Sequence, residues 1–532
     1  MTAASRVLVG EGHKVHSRLG SLNAALVAAD ACGARAGRRL RGYQIEGVSW
    51  GIEDSYLNSF SVGLGKSATA VVTAVALNYD RAAFVVPAHL FNTWLEEIVR
   101  WAGVTVVYEL LGNRRLRIER CYLDKHGSVL HREQVKDLPD RHWLLVSHET
   151  VAEWGRIVSV ARQGGILATE AGEDAAREML GVVRQPELVV VDEVHNMGHT
   201  AAARTGGLHA LCRGARRVIG ASATLLSGGA HRLWGPLSAV STGWGSYNTF
   251  IERYCGAERD GRNALRPGLP TNVAELKARM AGLVLRYAAA DFAHELPEET
   301  IQRVGVRVDR ATTKHIGDAV FQLQKALRTH SGEPASSHFA LGEIQALRNM
   351  LAETKLEAVA DLCRDLVASG ERVLVWCWHH AAVERIAEVL GKTPRVVCYT
   401  AHGDCSKAWI NNSIDKWSIT SGTVLAATTE LLGTGVDILA RVCRLQVFLE
   451  MPWKVDRWVQ ARGRLVRMSQ TQPVMTYVAV ADVPFEASLF DRLLTEARAT
   501  DPLLGDNRGG LVAAALGLER DVGLKLNEWF KE

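Results

Sequence analysis

The chain has 532 residues and a formal net charge of +4 at pH 7, because 62 Lys and Arg residues nearly balance 58 Asp and Glu residues. At about 150 residues per domain, this length predicts several folding units. The hydrophobic fraction of 47% and the charged fraction of 23% are those of a globular protein and exclude a disordered chain. A histone-like or basic-tail protein is excluded as well, so any polyanionic partner must be held by a local basic groove.

The sequence gives no sign of a membrane or a secreted protein. No apolar run reaches the ~18 residues that a membrane-spanning helix requires, and the first residues, MTAASRVLVGEGHKVHS, lack the apolar core of a signal peptide. The nine cysteines are scattered without a CxxC pair, which favours free thiols over disulfides or structural zinc. We therefore expect a cytoplasmic location and no membrane partner.

Short apolar runs alternate with amphipathic stretches in two successive series along the chain. The first series includes AAFVVP (82–87) and ELVVVDE (187–193), and the second includes RVLVWCW (372–378) and MTYVAV (475–480). Such runs, followed by polar or Gly-rich turns, are typical of strands buried on both faces of a parallel sheet, and FNTWLEEIVRWAG (91–103) has the period of a helix. We predict an α/β fold with two tandem lobes, parallel sheets flanked by helices. The expected boundaries are 1–40 for an N-terminal extension, 41–285 for lobe 1, 286–350 for a helical inter-lobe linker, 351–500 for lobe 2 and 501–532 for a C-terminal segment.

A Gly-rich turn at SVGLGKSATAVVTAVAL (61–77) leads into an Ala/Val-rich helix. Backbone N–H groups of such a turn, which contains Gly63 and Gly65, point at an anion. Lys66 would reach the β and γ phosphates of a nucleotide, and Ser67 would bind Mg²⁺ through its hydroxyl. The strict phosphate-loop pattern has glycine where this chain has Phe60, so an ordinary helix start is the alternative interpretation of GKS alone.

Two acidic residues, Asp192 and Glu193, follow the buried run ELVVV, and His195 completes the string DEVH. Ligands of α/β sheets bind at the carboxyl ends of the strands. Asp192 could hold the Mg²⁺ of a bound nucleotide and Glu193 could polarise the attacking water. A surface turn with two acidic residues is the alternative interpretation. The GKS string upstream in the same lobe favours the catalytic interpretation.

The segment QARGRLVRMSQ (460–470) in the second series carries Arg464 and Arg467, three positions apart. If this segment is helical, both guanidinium groups lie on one face. Arginine suits a γ-phosphate because it stays charged and presents a planar fork of donors. A solvated basic helix is the alternative, but a two-lobe ATPase would take its arginines from the second lobe, so we count both as catalytic candidates.

With these motifs in place, the chain resembles a superfamily-two helicase-type ATPase of the Swi/Snf group of DNA translocases, over about residues 40–470. The resemblance implies two RecA-like P-loop lobes, ATP and Mg²⁺ as cofactors, and double-stranded or branched DNA, bound largely without regard to sequence, as the partner. LRGYQIEGVSW (40–50) resembles the adenine-reading segment, so Gln44 would contact the base. TTELLGTGVDIL (428–439) resembles motif V, which would place Gly435 and Asp437 near the nucleotide.

The same resemblance implies roles in nucleic-acid contact or in coupling hydrolysis to movement. VVPAHLFNTWLEEI (85–98) resembles motif Ia, VSHET (146–150) motif Ib, GASATLLSGG (220–229) motif III and QARGRLVR (460–467) motif VI. The residues concerned are Pro87, His148, Ser222, Thr224, Thr428 and Gln460.

Between the lobes, FIERYCGA (250–257) and the stretch 272–300 resemble the compact annealing-helicase, fork-remodelling branch. Two departures stand out. Motif III has Ser-Ala-Thr at 222–224, which is closer to ordinary helicases than the usual Swi/Snf string, and Arg286-Tyr287 replaces a usual Arg-Arg pair.

We therefore predict an ATP-dependent DNA translocase that remodels or anneals duplex or branched DNA, acting as a monomer or with a partner protein in the nucleoid of a bacterial or phage-infected cell. A strand-separating helicase, or the motor subunit of a restriction-type system, is the first alternative. An ATP-gated DNA-binding clamp without motor activity is the second.

Overall fold

The structure is a computed structural model, and it describes residues 17–112, 117–152, 185–198, 203–212, 214–226, 229–260, 263–329, 334–394, 396–432, 438–504 and 508–516. The chain divides into two compact units, Met1–Asp291 and Phe292–Glu532, which we call lobe 1 and lobe 2. Each unit has a sheet with helices packed against it, so the predicted α/β architecture of two tandem lobes is confirmed. No described helix is both long and apolar enough to cross a membrane.

The sheet of lobe 1 is parallel at its centre and antiparallel at one edge. Its strand order is β11-β1-β8-β7-β2-β6-β3-β4-β5, in which β3, β4 and β5 pair antiparallel and the other neighbours pair parallel. The strands are β1 (Tyr56–Asn58), β2 (Arg81–Val86), β3 (Val106–Leu111), β4 (Arg117–Leu123), β5 (Val129–Val135), β6 (His142–Ser147), β7 (Leu188–Asp192), β8 (Arg217–Ala221) and β11 (Val284–Leu285), with a separate hairpin β9 (Glu258–Arg259) and β10 (Leu265–Arg266).

The apolar runs of the sequence become the central strands because burial on both faces requires continuous hydrophobic residues. Every residue of β7 is buried, as are the last five residues of β2. Sequence patterning did not predict the antiparallel edge. Polar side chains recur along β4 and β5, because only part of this edge is covered by the rest of the lobe.

Eight α-helices belong to the described part of lobe 1. They are α1 (Ser17–Ala36), α2 (Gly42–Glu53), α3 (Lys66–Leu77), α4 (Phe91–Ala102), α5 (Ala203–Cys212), α6 (Trp234–Val240), α7 (Tyr247–Tyr254) and α8 (Val273–Met280). Among them, α2, α3 and α6 pack directly on strands of the sheet. The predicted helix at 91–103 is confirmed as α4, which ends where Gly103 takes the left-handed conformation at φ +67°. The described part of the N-terminal extension packs on lobe 1, since Ser21 donates to Glu53 and Arg35 donates to the carbonyl of Trp101.

Lobe 2 has a fully parallel sheet in the order β12-β17-β16-β13-β15-β14. Its strands are β12 (Glu299–Val306), β13 (Val373–Cys377), β14 (Val397–Ala401), β15 (Thr423–Thr428), β16 (Leu445–Phe448) and β17 (Val474–Ala481). Its helices are α9 (Arg310–Thr329), α10 (Pro334–Ala368), α11 (His380–Gly391), α12 (Lys407–Ile419), α13 (Thr429–Leu432), α14 (Leu439–Val442), α15 (Val455–Arg462), α16 (Pro484–Leu504) and α17 (Arg508–Ala515).

The stretch expected as a helical linker, 286–350, is organised differently in the structure. Its residues Glu299–Val306 form β12, which pairs in parallel with β17 along its whole length, so this part belongs to the sheet of lobe 2. Helix α10 continues without interruption through residue 350 into lobe 2. At the other end, Val512 and Ala515 of the C-terminal segment are fully buried in the core of lobe 2.

Candidate functional site

The phosphate-loop candidate lies between β1 and α3 in lobe 1. Gly63 and Gly65 adopt positive φ angles of 82° and 75°, and α3 begins at Lys66. The left-handed backbone at Gly65 favours glycine, and an added Cβ atom would lie 2.2 Å from the side-chain nitrogen of Gln44, which would have to move. The ammonium of Lys66 donates to the carbonyls of Phe60 and Ser61 at 2.9 and 3.2 Å. A lysine folded over a turn at the start of a helix is a suitable anion site.

Phe60, which stands where the strict pattern has glycine, is fully buried. Its ring packs edge-on against Tyr43 at 5.4 Å and Tyr287 at 5.5 Å between ring centroids. The Tyr287 hydroxyl donates to Glu46 on α2. Phe60 therefore fixes the start of the loop by packing against two aromatic rings. One of these rings is Tyr287 of the Arg286-Tyr287 pair.

Gln44, which the resemblance places at the adenine, is buried on α2 and bonds to the loop. Its side-chain oxygen accepts from the backbone N–H of Arg41 at 2.8 Å, and its side-chain nitrogen donates to the carbonyl of Leu64 at 3.1 Å. The amide therefore connects the start of α2 to the residue that precedes Gly65. A contact with adenine remains a prediction.

Asp192 is the last residue of β7, and β8 lies between that strand and the phosphate-loop strand β1. Its two carboxylate oxygens accept from different donors: Oδ1 from the backbone N–H of Glu193 at 3.0 Å and Oδ2 from the indole N–H of Trp94 at 2.9 Å. Burial and the charge of Glu193 raise the pKa of Asp192 above its ordinary value, while Trp94 and the charge of Lys66 oppose that rise. Lys66 and Asp192 are thus close enough to interact electrostatically.

Glu193 and His195 lie in the turn that follows β7, where Glu193 has a left-handed backbone at φ +47°. The Nδ1 atom of His195 lies 2.8 Å from the hydroxyl oxygen of Ser222 and 3.2 Å from Oε2 of Glu193. The Ser222 hydroxyl also accepts from the backbone N–H of Thr224 at 3.0 Å. The structure therefore brings the string DEVH into direct contact with motif III.

The expected nucleic-acid segments of lobe 1 reach the same edge of the sheet. Pro87 directly follows β2 and is buried. His148 directly follows β6, and its Nε2 lies 2.9 Å from the backbone carbonyl oxygen of Asp192. Burial lowers the pKa of His148 to about 4, which keeps the imidazole neutral at physiological pH.

Sequence analysis missed one residue of this site, Trp94. In the sequence it is one apolar position of the amphipathic pattern of α4, and that pattern predicts a core residue. It is indeed buried, at 2% exposure, but its N–H is directed to Asp192, nearly a hundred positions away in the chain. The only available signal was the general rule that a buried indole N–H finds a polar partner.

The structure describes only some of the predicted site residues of lobe 2. Gly435 and Asp437 lie outside the described residues. Thr428, at the end of β15, and Gln460, on α15, are both buried.

Arg464 and Arg467 do not share a helical face, because the segment that carries them is not helical. Helix α15 ends at Arg462, and both arginines follow in turns, where Arg464 is buried and Arg467 is half-buried. The N–H of Gly463 bonds back to Val459, and the N–H of Arg464 bonds to Ala461, which closes the helix before the two arginines.

The donor set of lobe 1 fits a Mg²⁺–nucleotide. The phosphate side consists of the left-handed Gly65, the lysine at the start of the helix and the Ser67 hydroxyl one residue later. Asp192 supplies an oxygen ligand of the kind that Mg²⁺ prefers, within electrostatic reach of Lys66.

Among the described residues, a second group of metal-ligating side chains lies in lobe 2 and comprises His380, His402 and Asp404. Each imidazole already faces a carboxylate: His380 Nδ1 lies 2.7 Å from Asp404, and His402 Nε2 lies 2.5 Å from Glu384. We interpret this group as two histidine–carboxylate pairs.

The family model for the helicase conserved C-terminal domain matches residues 354–469. Over 468 residues the chain is 22% identical to the mouse (Mus musculus) DNA annealing helicase and endonuclease ZRANB3, covering 85% of this chain and 39% of that protein. It is also 22% identical, over 457 residues, to the SWI/SNF-related matrix-associated actin-dependent regulator of chromatin subfamily A-like protein 1 of Xenopus tropicalis, covering 84% of this chain and 43% of that protein.

Solved structures that align with this chain include the Sulfolobus solfataricus SWI2/SNF2 ATPase core in complex with dsDNA, with 16% identity and a TM-score of 0.36. The alignment covers 91% of this chain and 98% of that chain. Another is S. cerevisiae Dbp5 bound to RNA and ADP BeF3, with 12% identity, 90% of each chain covered, and a TM-score of 0.49.

The sequence matches confirm the resemblance inferred from the motifs. The chain is a relative of the Swi/Snf group of superfamily-two helicase-type ATPases, with the annealing helicases among its relatives. It spans about two-fifths of the length of the curated relatives it matches.

Proposed function

We propose that this protein is an ATP-dependent DNA translocase that remodels or anneals duplex or branched DNA. The observation that carries the proposal is the arrangement at one edge of the lobe 1 sheet, where Lys66 of the phosphate loop, the buried Asp192 and the bonded pair His195–Ser222 occur together. The relationship to DNA annealing helicases gives the class of substrate.

In the proposed reaction, Lys66 and the amides of the loop would bind the phosphates of ATP, while Ser67 and Asp192 would hold Mg²⁺. That ion would neutralise charge on the β and γ phosphates. Glu193 orients and polarises the attacking water, and its position within 3.2 Å of His195 restrains the carboxylate. Arg464 and Arg467 would supply positive charge to the γ-phosphate, and the resemblance gives Gly435 and Asp437 a role near the nucleotide.

DNA binding is assigned mainly to phosphate contacts, so sequence preference is slight and salt sensitivity is steep. Pro87 and His148 belong to the segments of lobe 1 that face the DNA, and Thr428 and Gln460 to those of lobe 2. Ser222 and Thr224 couple hydrolysis to movement. We further propose that the protein acts in the cytoplasm on nucleoid or phage DNA, as a monomer or with a partner protein.

A strand-separating helicase is the second candidate, and one observation favours it. Motif III has the sequence Ser-Ala-Thr, which resembles ordinary helicases more than the Swi/Snf group. Its Ser222 hydroxyl lies 2.8 Å from the imidazole of His195 in the string DEVH.

ATP hydrolysis measured without nucleic acid and with single-stranded DNA, blunt duplex, forked DNA or RNA separates the candidates. The translocase proposal predicts the strongest stimulation by duplex or forked DNA. Stimulation mainly by single strands would favour the strand-separating helicase, and stimulation mainly by RNA would contradict both. Nucleotide-dependent DNA binding without ATP turnover in the presence of any of these nucleic acids would indicate a clamp.

A further inference from the structure

Trp94 lies on α4 with its ring buried and its indole N–H 2.9 Å from Oδ2 of Asp192. Asp192 is itself only 7% exposed, so this hydrogen bond is shielded from water. Hydrogen bonds to an ionised acceptor in such surroundings are stronger than those between neutral groups. Trp94 therefore contributes directly to the orientation of the Asp192 carboxylate.

The two oxygens of Asp192 are held from different directions. The backbone N–H of Glu193 bonds Oδ1, and the indole of Trp94 bonds Oδ2. Because an ionised carboxylate can accept about four hydrogen bonds or ligands, these two donors leave positions for a metal ion. Two donors fix the plane of the carboxylate. Only the indole donor belongs to a side chain, so only that hydrogen bond can be removed by a side-chain substitution.

The indole is positioned by packing that does not depend on its N–H. Its ring lies 5.6 Å from the ring of Phe84 on β2, and Phe84 in turn lies 5.2 Å from Trp143 on β6. A phenyl ring at position 94 keeps an aromatic contact with Phe84 while removing the hydrogen-bond donor. The structure thus allows the donor to be tested separately from most of the packing.

Trp94 also connects two parts of the site. Helix α4 begins at Phe91, a short turn after Pro87, within the segment that we assign to DNA contact. The N–H of Trp94 reaches from that helix to the carboxylate at the end of β7. A displacement of α4 on DNA binding would therefore reach Asp192 through a single hydrogen bond.

We propose that Trp94 is a positioning residue, whose indole N–H holds the Asp192 carboxylate in the orientation that binds the Mg²⁺ of a nucleotide and ties it to the segment after β2. This inference rests on the proposed function, since it takes Asp192 to be the Mg²⁺ ligand. Residues that orient a metal ligand typically change metal affinity or activity by about 10–100-fold when they are removed.

The test is Trp94→Phe in the full chain, with Trp101→Phe as the matched control. Trp101 lies on the same helix, is also buried, and donates its indole N–H to Glu97 at 2.9 Å, away from Asp192. Binding of a fluorescent, non-hydrolysable ATP analogue is titrated with Mg²⁺, and repeated in EDTA. Trp94→Phe should raise the Mg²⁺ concentration at half-saturation by about 10–100-fold and leave binding in EDTA unchanged, while Trp101→Phe should match the wild type.

Steady-state kinetics give a second readout. Trp94→Phe should require more Mg²⁺ for half-maximal ATP turnover, and the ratio of turnover with duplex DNA to turnover without it should fall. Should Trp94→Phe fail to fold, β-(3-benzothienyl)alanine at the same position keeps the bicyclic shape without the N–H.

An unchanged Mg²⁺ response in the folded variant would overturn the inference while leaving the proposed function intact. Equal losses in Trp94→Phe and Trp101→Phe would overturn it too, because they would indicate helix packing and not the contact with Asp192. Failure of the wild-type protein to bind the analogue with Mg²⁺ would instead contradict the proposed function itself.

Discussion

The Nδ1 atom of His195 lies 2.8 Å from the hydroxyl oxygen of Ser222, across the ends of the neighbouring strands β7 and β8. Both side chains are buried, so this contact is shielded from water. The same imidazole nitrogen lies 3.2 Å from Glu193, the residue proposed to polarise water. The pair therefore gives motif III a direct connection to the group proposed to act on the nucleotide.

Ser222→Ala should uncouple hydrolysis from DNA. Loss of a buried hydrogen bond costs about 1–3 kcal/mol, so we expect about a tenfold loss of DNA-stimulated ATP turnover and a smaller change in the basal rate. Ser49→Ala is the control, because Ser49 is buried in the same lobe and donates to Ser21 on α1 and not to His195. A basal rate that falls as much as the stimulated rate would show that Ser222 serves hydrolysis itself.

Gly65→Ala should weaken nucleotide binding. The new Cβ atom would meet the Gln44 nitrogen at 2.2 Å, and the backbone would have to keep a φ of +75°. Backbone strain of this kind costs about 1–3 kcal/mol, so the Kd for ATP measured by calorimetry should rise about tenfold or more. Gly20→Ala on α1 is the matched control, since no atom lies within 4 Å of its added Cβ. Equal affinities in the two variants would mean that the loop does not bind phosphate.

Glu450 should make lobe 2 sensitive to acid. Burial alone would raise its pKa, but the His379 side chain and backbone N–H, both bonded to its carboxylate, lower that pKa below the ordinary value of 4.5. A carboxyl group whose pKa is lower in the folded state stabilises the fold at any pH above its unfolded-state pKa. That stabilisation is lost as the pH falls through the folded-state pKa. The wild-type unfolding free energy should therefore fall below about pH 4.5.

Glu450→Gln tests this dependence. The variant should be less stable at pH 7 by about 2–4 kcal/mol, because the backbone N–H of Trp378 and the His379 groups lose a charged acceptor. Its stability should also change less with pH between 5 and 3 than that of the wild type. Glu353→Gln, an exposed carboxylate paired with Arg385, should cost less than about 1 kcal/mol. Parallel pH curves for Glu450→Gln and the wild type would contradict the assignment.

A buried ion pair joins α10 and α16 in lobe 2. The ammonium of Lys355 lies 2.8 Å from Oε1 of Glu486, and neither side chain is more than 2% exposed. Lys355→Met should destabilise lobe 2 by about 3–5 kcal/mol, because it leaves a buried carboxylate without its counter-charge. The double variant Lys355→Met/Glu486→Leu should recover much of that loss in urea unfolding. No recovery in the double variant would show that the packing around the pair, not the charge, carries the stability.

The sequence was most informative where chemistry requires particular residues at fixed spacing. Lys66, Asp192, Glu193 and His195 could be singled out because a phosphate loop and an acidic strand end are recognisable locally, and the structure brings them to one edge of the sheet. The parallel sheets followed from continuous apolar runs, since strands buried on both faces need them.

Contacts that depend on tertiary packing could not be predicted in this way. The donor role of Trp94 depends on how α4 lies against β7, and an apolar helical position carries no sign of it. The strand at Glu299–Val306 was assigned to a linker because its half-buried, mixed residues lack a long apolar run. The end of α15 at Arg462 was missed because the spacing of two arginines says nothing about where a helix stops.

ATP turnover by the wild-type protein, by Lys66→Ala and by Glu193→Gln, each with and without duplex DNA, is the most direct test of the proposed motor. The wild type should hydrolyse ATP and be strongly stimulated by duplex DNA. Both variants should stay folded and lose turnover, because Lys66 and Glu193 lie at the phosphate loop and the end of β7 and not in the hydrophobic core. Retained turnover in either variant, or a wild type that DNA does not stimulate, would contradict the proposed function.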